Sequence, residues 1–408
     1  MARTAKRITN GLRIAEALSV GVLGRAYPRS RIRSILAAAD RQSVRQRDLP
    51  MDVMVYYVIA LGLYLPAAYQ EVLRCLVEGL GWLEGTEPVR VAGKSGIAKA
   101  RQRLGSEPLV SLYSQCGPRA KSGAPGSFFC GYRLVSVDGS TLAVADTREN
   151  RVGFGRLGAS RGKAAFPSLR FSALVETGTH LIFAAEMDGV STTEVVLAER
   201  LLPRVDDSML ILADRNFAGF VFLAAVADKG ARFLVRIRSD VTLPVLERLP
   251  DGSYRSQMRD GRTRRRDRRL RKDTLAVRVI DYQVAPGHET FRLVTNLLDP
   301  VLAPAGVLAA LYPQRWEHEG VYDEFKTHLR GAQVVLRSKT PELVRQEFFG
   351  LCLAHYAVRS LMLEASEHDT LDPDQLSFTH AVRVVRRKLA GPPVFPPSDA
   401  PQSPPPPH

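Results

Sequence analysis

The 408-residue sequence lacks the features that define several classes of protein. Its four cysteines have no paired short spacings, which excludes a cysteine zinc site and a disulfide framework. The longest apolar run, 53–65, is shorter than the roughly 20 residues that a membrane span needs. The histidines show no metal-ligand spacing, and neither a phosphate-binding loop nor a nucleophile-elbow serine is present. An NTPase and a serine hydrolase are therefore disfavoured, and we expect a cytoplasmic protein with reduced thiols and no membrane contact.

Positive charge is abundant and is concentrated in two segments. The formal net charge is +15, of which residues 1–47 carry +9 and residues 255–272 carry +8. The rest of the chain is therefore close to neutral, at about −2. Cations clustered in this way indicate a polyanionic partner, and nucleic acid is the commonest one.

The first part of the chain is predicted to be helical. Residues 1–116 form a helical N-terminal domain, with Asp48 as the cap of a buried helix over the apolar run, and residues 117–130 form a linker. A short helix after Ser95 carries apolar side chains on one face and Lys99 and Arg103 on another, and ends at Gly105. This helix is either a DNA groove-reading element or a solvated surface helix, because charged faces are common to both.

The rest of the chain alternates strand-like and helix-like segments. Residues 131–237 predict a mixed α/β sheet with an antiparallel part, and residues 238–300 a β-rich insertion. Residues 301–390 complete this core and add C-terminal helices. The last 18 residues, 391–408, contain nine prolines and predict a disordered tail.

Two aspartates follow apolar strand-like runs. Asp138 follows LVSV and Asp214 follows LILA, the second being a run typical of a strand buried on both faces. A carboxylate there is costly unless it is solvated, paired or bound to a cation. Two of them on neighbouring strands can hold Mg²⁺ or Mn²⁺, whereas a single strand-end Asp is more often a turn residue.

A third set of residues lies on a predicted helix over residues 312–330. At 100° per residue, Tyr312, Arg315, Glu319 and Lys326 occupy an arc of about 60°. One carboxylate among an aromatic hydroxyl and two cations is unusual for a core face, but suits a metal ligand among phosphate-binding groups. Asp323 lies near the same face and is an alternative to Glu319. Glu317 and Glu324 point elsewhere, and we expect them to be solvated.

These motifs together resemble the DDE transposases of the insertion-sequence-four family. The matching segments are VDGST around Asp138, LADRNF around Asp214, and YPQRWEHEGVYDEFK, which has the family's Tyr–Arg–Glu–Lys spacing. SVRQRDLPMDVMVYYVIALGLY and GKSGIAKARQRLG are similar to its N-terminal domain, and VLRSKTPELVRQEFFGLCLAHYAVRSLM to its C-terminal helices. The resemblance covers nearly the whole chain except the proline tail. It implies a ribonuclease-H-like catalytic core, with the β-rich insertion where this family has one.

The resemblance also implies a site and an activity. Asp138, Asp214 and Glu319 would be the catalytic triad that binds two Mg²⁺ or Mn²⁺ ions. The residues expected to contact DNA are Tyr312, Arg315, Lys326, Arg215, Lys99, Arg103, Arg264, Arg265, Arg266, Arg268 and Arg269. In some relatives a tryptophan of the insertion stacks on a flipped base. Here Trp82 and Trp316 lie outside it, so Tyr254 or Tyr282 would have to replace that ring.

The expected function is cleavage of double-stranded DNA at terminal inverted repeats and transfer of the freed 3′ ends to target DNA. We expect a homodimer in the synaptic complex and association with the bacterial nucleoid. One alternative is a ribonuclease-H-like metal-dependent nuclease without strand transfer. Another is a DNA-binding regulator whose catalytic site has decayed.

Overall fold

The computed structural model describes residues 21–43, 49–65, 67–84, 93–122, 124–159, 162–238, 240–260, 274–283, 290–331, 334–369 and 371–386. In the Arg-rich stretch 255–272, the five arginines expected to contact DNA (Arg264, Arg265, Arg266, Arg268 and Arg269) lie outside these residues, as do the predicted cap Asp48 and the proline tail. Within the described ranges, no helix is both long enough and apolar enough to cross a membrane.

The N-terminal part is helical, as predicted. After a helical stretch at residues 21–26, its helices are α1 (Arg29–Ala38), α2 (Met51–Leu63), α3 (Tyr69–Glu84), α4 (Lys94–Leu104) and α5 (Glu107–Ser114). All of α2 is buried, and the residue before it is Pro50, whose fixed φ suits a helix start. Gly105 ends α4 with a φ of +69°, a conformation that favours glycine.

Within the described residues, ten strands form one mixed sheet. In chain order its strands are β1 (Phe128–Phe129), β2 (Tyr132–Ala143), β5 (Ser168–Glu176), β6 (Leu181–Gly189), β7 (Met209–Ala213), β8 (Arg232–Ile237), β9 (Glu247–Arg248), β10 (Tyr254–Arg259), β11 (Thr274–Gln283) and β12 (Thr290–Thr295). The spatial order is β6-β5-β2-β7-β8-β12-β11-β10-β9, with β1 beside β2. The pairs β2–β7 and β7–β8 are parallel, and the other neighbouring strands of this sheet pair antiparallel. A separate hairpin pairs β3 (Gly158–Ala159) with β4 (Gly162–Lys163).

The remaining helices cover this sheet. They are α6 (Arg148–Phe154), α7 (Glu194–Leu201), α8 (Phe220–Asp228), α9 (Ala305–Leu311), α10 (Glu317–Asp323), α11 (Pro341–Asp369) and α12 (Phe378–Arg386). Short 3₁₀ turns cover Leu202–Arg204, Arg215–Phe217 and Pro373–Gln375. The predicted α/β core with an all-helical N-terminal part is confirmed.

The central strands are buried on both faces, as the sequence of β7 predicts. Ile211 packs into the large core shared with the helices, whereas Leu210 and Leu212 pack into a second core on the opposite face. This alternation follows from the two-residue repeat of a strand. The strands of the predicted β-rich insertion continue the same sheet, since β12 pairs with β8.

The N-terminal helices pack directly on the long helix α11. A Cβ at Gly62 of α2 would lie 3.0 Å from Cβ of Ala354, and one at Gly350 would lie 2.7 Å from the Val58 carbonyl oxygen. Such contacts are possible only for glycine, so the two helices approach backbone to backbone. The N-terminal helices and the α/β part of the chain therefore share one apolar core.

The helix predicted over residues 312–330 is not uniform. It begins as a 3₁₀ segment (Tyr312–Trp316), continues as α10 and ends as a π-helix (Glu324–Leu329). The 3₁₀ and π segments turn by a different angle per residue than an α-helix, so the side-chain directions differ from those projected for a regular helix. π-Segments of this kind are frequent at functional sites.

Candidate active site

Asp138 and Asp214 lie side by side at the edge where the parallel pairing of β2 and β7 ends. Val137 is opposite Ala213 in the register, so each aspartate follows a paired residue. Neighbouring strands are about 4.8 Å apart, so the two aspartates occupy adjacent positions at this edge. One expectation is wrong in detail: β2 does not end at Asp138, because it continues to Ala143 along β5.

The carboxyl group of Asp138 is mostly buried. Its side chain is 21 % exposed, and its Oδ1 accepts a 2.7 Å hydrogen bond from the Gly139 N–H. Burial raises its pKa to about 6, the Asp214 carboxylate adds to the rise, and the Gly139 and Arg315 contacts oppose it. Ionisation of Asp138 in the folded protein is therefore less favourable than that of an ordinary aspartate, and the group loses its proton only as the pH rises through about 6.

Arg315 joins Asp138 to Glu319. Its guanidinium lies 3.8 Å from an Asp138 carboxylate oxygen and 3.6 Å from one of Glu319. Arg315 is buried, whereas the Glu319 side chain is 68 % exposed. Glu319 and Asp323 are the two candidate metal ligands on this helix face. Glu319 shares Arg315 with Asp138, whereas the Asp323 carboxylate lies 3.1 Å from the His328 ring.

The helical segment is held along β2 by contacts with alternate residues of that strand. His318 Nδ1 is 2.8 Å from Ser136 Oγ, and Lys326 donates a 2.8 Å hydrogen bond to Ser140 Oγ. Between them, the Tyr322 hydroxyl donates to the carbonyl of Asp138 at 2.8 Å. Ser136, Asp138 and Ser140 lie on the same face of the strand, and these contacts fix the position of Glu319 relative to Asp138.

The residues expected to contact phosphates differ in accessibility. Tyr312 is buried and its hydroxyl donates to the carbonyl of Ala213 at 3.1 Å, directly before Asp214. Lys326 is half-buried and Arg315 is buried, each with the partners given above. Lys99, Arg103 and Arg215 are exposed, and the five Arg-rich-stretch arginines lie outside the described residues. DNA contact by any of these residues stays a prediction.

The expectation that Glu317 and Glu324 are solvated is wrong. Glu317 accepts a 2.9 Å hydrogen bond from the Gly178 N–H, and Glu324 is ion-paired with the buried Arg359. Hydrogen bonds and the Arg359 charge hold the pKa of Glu324 well below its usual range, in spite of burial. These two glutamates anchor the helical segment to the β5–β6 turn and α11. The regular-helix projection could not reveal such long-range partners.

The rings available for stacking on a base also differ from the expectation. Tyr254 is buried, and Tyr282 is engaged with Phe291 at a ring-centroid distance of 5.6 Å. Trp316, beside Arg315, is 60 % exposed. Tyr254 is therefore not accessible to a base, whereas Tyr282 is half-buried and its role as a stacking ring stays a prediction.

Sequence reasoning missed a further carboxylate beside the two aspartates. Glu194 is the first residue of α7, and its charge contributes to the raised pKa of Asp138. Its Oε2 accepts a 3.1 Å hydrogen bond from the side-chain amide of Asn216. In the sequence, Glu194 follows the helix cap Thr193, and an acidic residue there is common for helix stability alone.

The donor atoms fit a hard divalent cation. Asp138, Asp214, Glu194 and Glu319 offer only carboxylate oxygens, the ligands that Mg²⁺ and Mn²⁺ prefer. Among the described residues, no group of three such side chains stands close enough to hold a metal ion. Arg315 instead supplies the positive charge between Asp138 and Glu319. The donor set therefore suits a hard divalent cation by its chemistry, whereas the spacing of the carboxylates does not by itself form a metal site.

Comparison with known proteins gives the family of the chain. Residues 17–114 match the family described as insertion element 4 transposase N-terminal, and residues 130–357 match the family described as transposase DDE domain. The second match spans more than half of the chain. The chain belongs to the IS4 family of DDE transposases. Members of this family generally use divalent metal ions.

This transposase is similar to named relatives. It is 28 % identical over 358 residues to the transposase InsG for insertion sequence element IS4 of Escherichia coli K12, covering 87 % of this chain and 79 % of that one. A solved structure of the piggyBac transposase synaptic complex with hairpin DNA covers 94 % of this chain and 80 % of its own, at 11 % identity and a TM-score of 0.44. That structural likeness is too weak to support an argument.

Proposed function

We propose that this transposase cleaves DNA at the terminal inverted repeats of an insertion sequence and transfers the 3′ ends to target DNA. Asp138, Asp214 and Glu319 are the proposed catalytic residues. The observation that carries the proposal is the pairing of β2 with β7, which sets the two aspartates side by side, with Arg315 between Asp138 and Glu319. Separate chain segments have no reason to bring these groups together for stability alone, because like charges repel.

In this proposal the carboxylates hold two divalent cations, Mg²⁺ or Mn²⁺. Held there, the ions would supply Lewis-acid activation of the attacking oxygen and charge stabilisation of the leaving oxygen. Asp138 must be ionised to bind, and its pKa of about 6 makes it so at neutral pH. No covalent link between protein and DNA is needed, which agrees with the absence of a nucleophilic serine or tyrosine motif from the sequence.

In this proposal the basic side chains contact the phosphates of the DNA. Arg315 is buried and lies between two carboxylates, and we infer that it would contact a DNA phosphate if those carboxylates held a metal ion. Lys326 donates a hydrogen bond to Ser140, which lies on the same face of β2 as Asp138. The exposed Arg215 directly follows Asp214 and is open to the backbone of a bound duplex. Lys99, Arg103 and the Arg-rich stretch would add contacts further out.

The test is an in vitro reaction with purified protein. End DNA containing the flanking inverted repeats is incubated with a target plasmid, with Mg²⁺ and separately with EDTA. We expect cleavage at the repeat ends and joined products that depend on Mg²⁺. Cleavage without joined products would favour a nuclease, and DNA binding without cleavage in any divalent metal would favour the regulator.

A homodimer in the synaptic complex is part of the same proposal, because two transposon ends must be joined together. Analytical ultracentrifugation with end DNA should give two chains and two DNA ends in one particle. A particle with one chain and one end that still produces joined products would refute this part.

A further inference from the structure

Glu194 is a carboxylate that the fold holds firmly beside the active site. It is the first residue of α7 and follows the cap Thr193, whose side chain accepts a hydrogen bond from the Val196 N–H. The Ser172 hydroxyl on β5 donates a 2.9 Å hydrogen bond to the Glu194 carbonyl. The main chain of Glu194 is therefore attached both to its own helix and to the strand that pairs with β2.

The Glu194 side chain lies over Gly139, the neighbour of Asp138. A Cβ built at Gly139 would be 2.2 Å from Cγ of Glu194 and 2.4 Å from its Cδ. Any other residue at position 139 would therefore occupy the space of the Glu194 carboxyl group. The φ of Gly139 is not in the left-handed region, so room for Glu194 is the reason that the structure gives for glycine here.

On its other side, Glu194 contacts Asn216, two residues after Asp214. The amide of Asn216 donates to Glu194 Oε2 at 3.1 Å, and the main-chain N–H of Asn216 donates to Asp214 Oδ1 at 2.8 Å. Glu194 thus lies between the segments that carry the two aspartates. In the described part of the chain, no Lys, Arg or His forms an ion pair with it.

We propose that Glu194 is a fourth carboxylate of the metal site, binding the divalent cation together with Asp138 and Asp214. This inference rests on the proposed function. A glutamate that served only the start of α7 could extend into solvent near the helix terminus. Glu194 instead turns back over β2, where it faces negative charge and has a neutral amide as its hydrogen-bond partner. A cation shared by the three carboxylates would balance that charge.

The test is a titration of the full-length protein with Mn²⁺. Binding is measured as the loss of the electron paramagnetic resonance signal of free Mn²⁺. Glu194→Gln keeps the size of the side chain and the acceptor for Asn216, and removes the charge. We expect its dissociation constant for Mn²⁺ to rise about tenfold or more, as for lost metal-supporting groups elsewhere. The matched control is Glu199→Gln on the same helix, which should bind Mn²⁺ like the wild type.

Thermal unfolding separates a metal-binding role from a structural one. Without metal, Glu194→Gln should unfold at the same temperature as the wild type or higher, because a repulsive charge is gone. With saturating Mn²⁺ the wild type should gain more than the variant, since a ligand stabilises the state that binds it. A variant that unfolds earlier without metal and keeps wild-type Mn²⁺ affinity would overturn the inference.

Asp138→Asn in the same titration distinguishes the two proposals. Weaker binding by Asp138→Asn with unchanged binding by Glu194→Gln would refute the role of Glu194 and leave the proposed function standing. Equal binding by Asp138→Asn and the wild type, or no saturable Mn²⁺ binding by the wild type, would refute both.

Discussion

Replacing Asp138 with Asn should stabilise the metal-free protein at neutral pH, although it destroys a proposed catalytic residue. The folded-state pKa of Asp138 is about 6 against an ordinary value of 3.8. Each unit corresponds to about 1.4 kcal/mol, so ionised Asp138 costs the fold about 3 kcal/mol at pH 8. Asn removes the charge and keeps the acceptor for the Gly139 N–H.

The pH dependence gives this prediction its sign. Above pH 6 the carboxyl group is ionised in both the folded and the unfolded chain, and the folded state bears the full cost. As the pH falls through 6, the folded state takes up the proton first and the cost is relieved. Below about 3.8 both states are protonated, so the advantage of Asp138→Asn should be largest above pH 6 and disappear near pH 4.

The assay is urea unfolding in EDTA at several pH values, with the exposed Asp207→Asn as control. Asp138→Asn should be more stable than the wild type at pH 8, whereas the control should change little. Saturating Mg²⁺ should reverse the order, because only the wild type then has its full set of ligands. An Asp138→Asn variant that is less stable than the wild type at pH 8 without metal would refute the reasoning about this carboxyl group.

Three further predictions concern other parts of the protein. Gly139→Ala should displace the Glu194 side chain and weaken Mn²⁺ binding, at some cost in stability because the added Cβ would also lie 2.8 Å from Glu194 Cβ; unchanged Mn²⁺ affinity would contradict the steric argument. Burial lowers the pKa of His318 to about 3, so the wild type should lose stability as the pH falls below about 6.5. In acid unfolding curves His318→Gln should reduce this loss, and an equal dependence of stability on pH in the two proteins would contradict the reasoning. Replacing Arg264, Arg265, Arg266, Arg268 and Arg269 with Gln should flatten the salt dependence of end binding by up to about 0.9 per lost phosphate contact; an unchanged slope would rule out a phosphate-contacting role.

Much of the fold follows from local sequence patterns. The two-sided burial of Met209–Ala213 was predictable from five consecutive apolar residues, and so was the burial of the helix at Met51–Leu63. The proximity of Asp138 and Asp214 depends on a parallel pairing that the sequence could only suggest through the family resemblance. Strand ends were harder to predict, because β2 continues past Asp138 through its pairing with β5.

The site was less predictable than the fold. A regular helix projection grouped Tyr312, Arg315 and Lys326 correctly on the sheet side, but it ignored the 3₁₀ and π segments. It also left Glu324 in solvent, whereas Arg359, which is 35 residues away, pairs with it. Glu194 was missed because its local signal is that of an ordinary helix start. Its contacts with Gly139 and Asn216 exist only in three dimensions.

The central claim is that Asp138, Asp214 and Glu319 form one catalytic site for cleavage and strand transfer. The most direct measurement compares Glu319→Gln with Asp323→Asn, its exposed neighbour on the same helix, in the Mg²⁺ reaction with end DNA and target plasmid. We expect Asp323→Asn to yield joined products and Glu319→Gln to yield neither cleaved nor joined DNA, with end binding largely retained in both. An active Glu319→Gln beside an inactive Asp323→Asn would contradict the account.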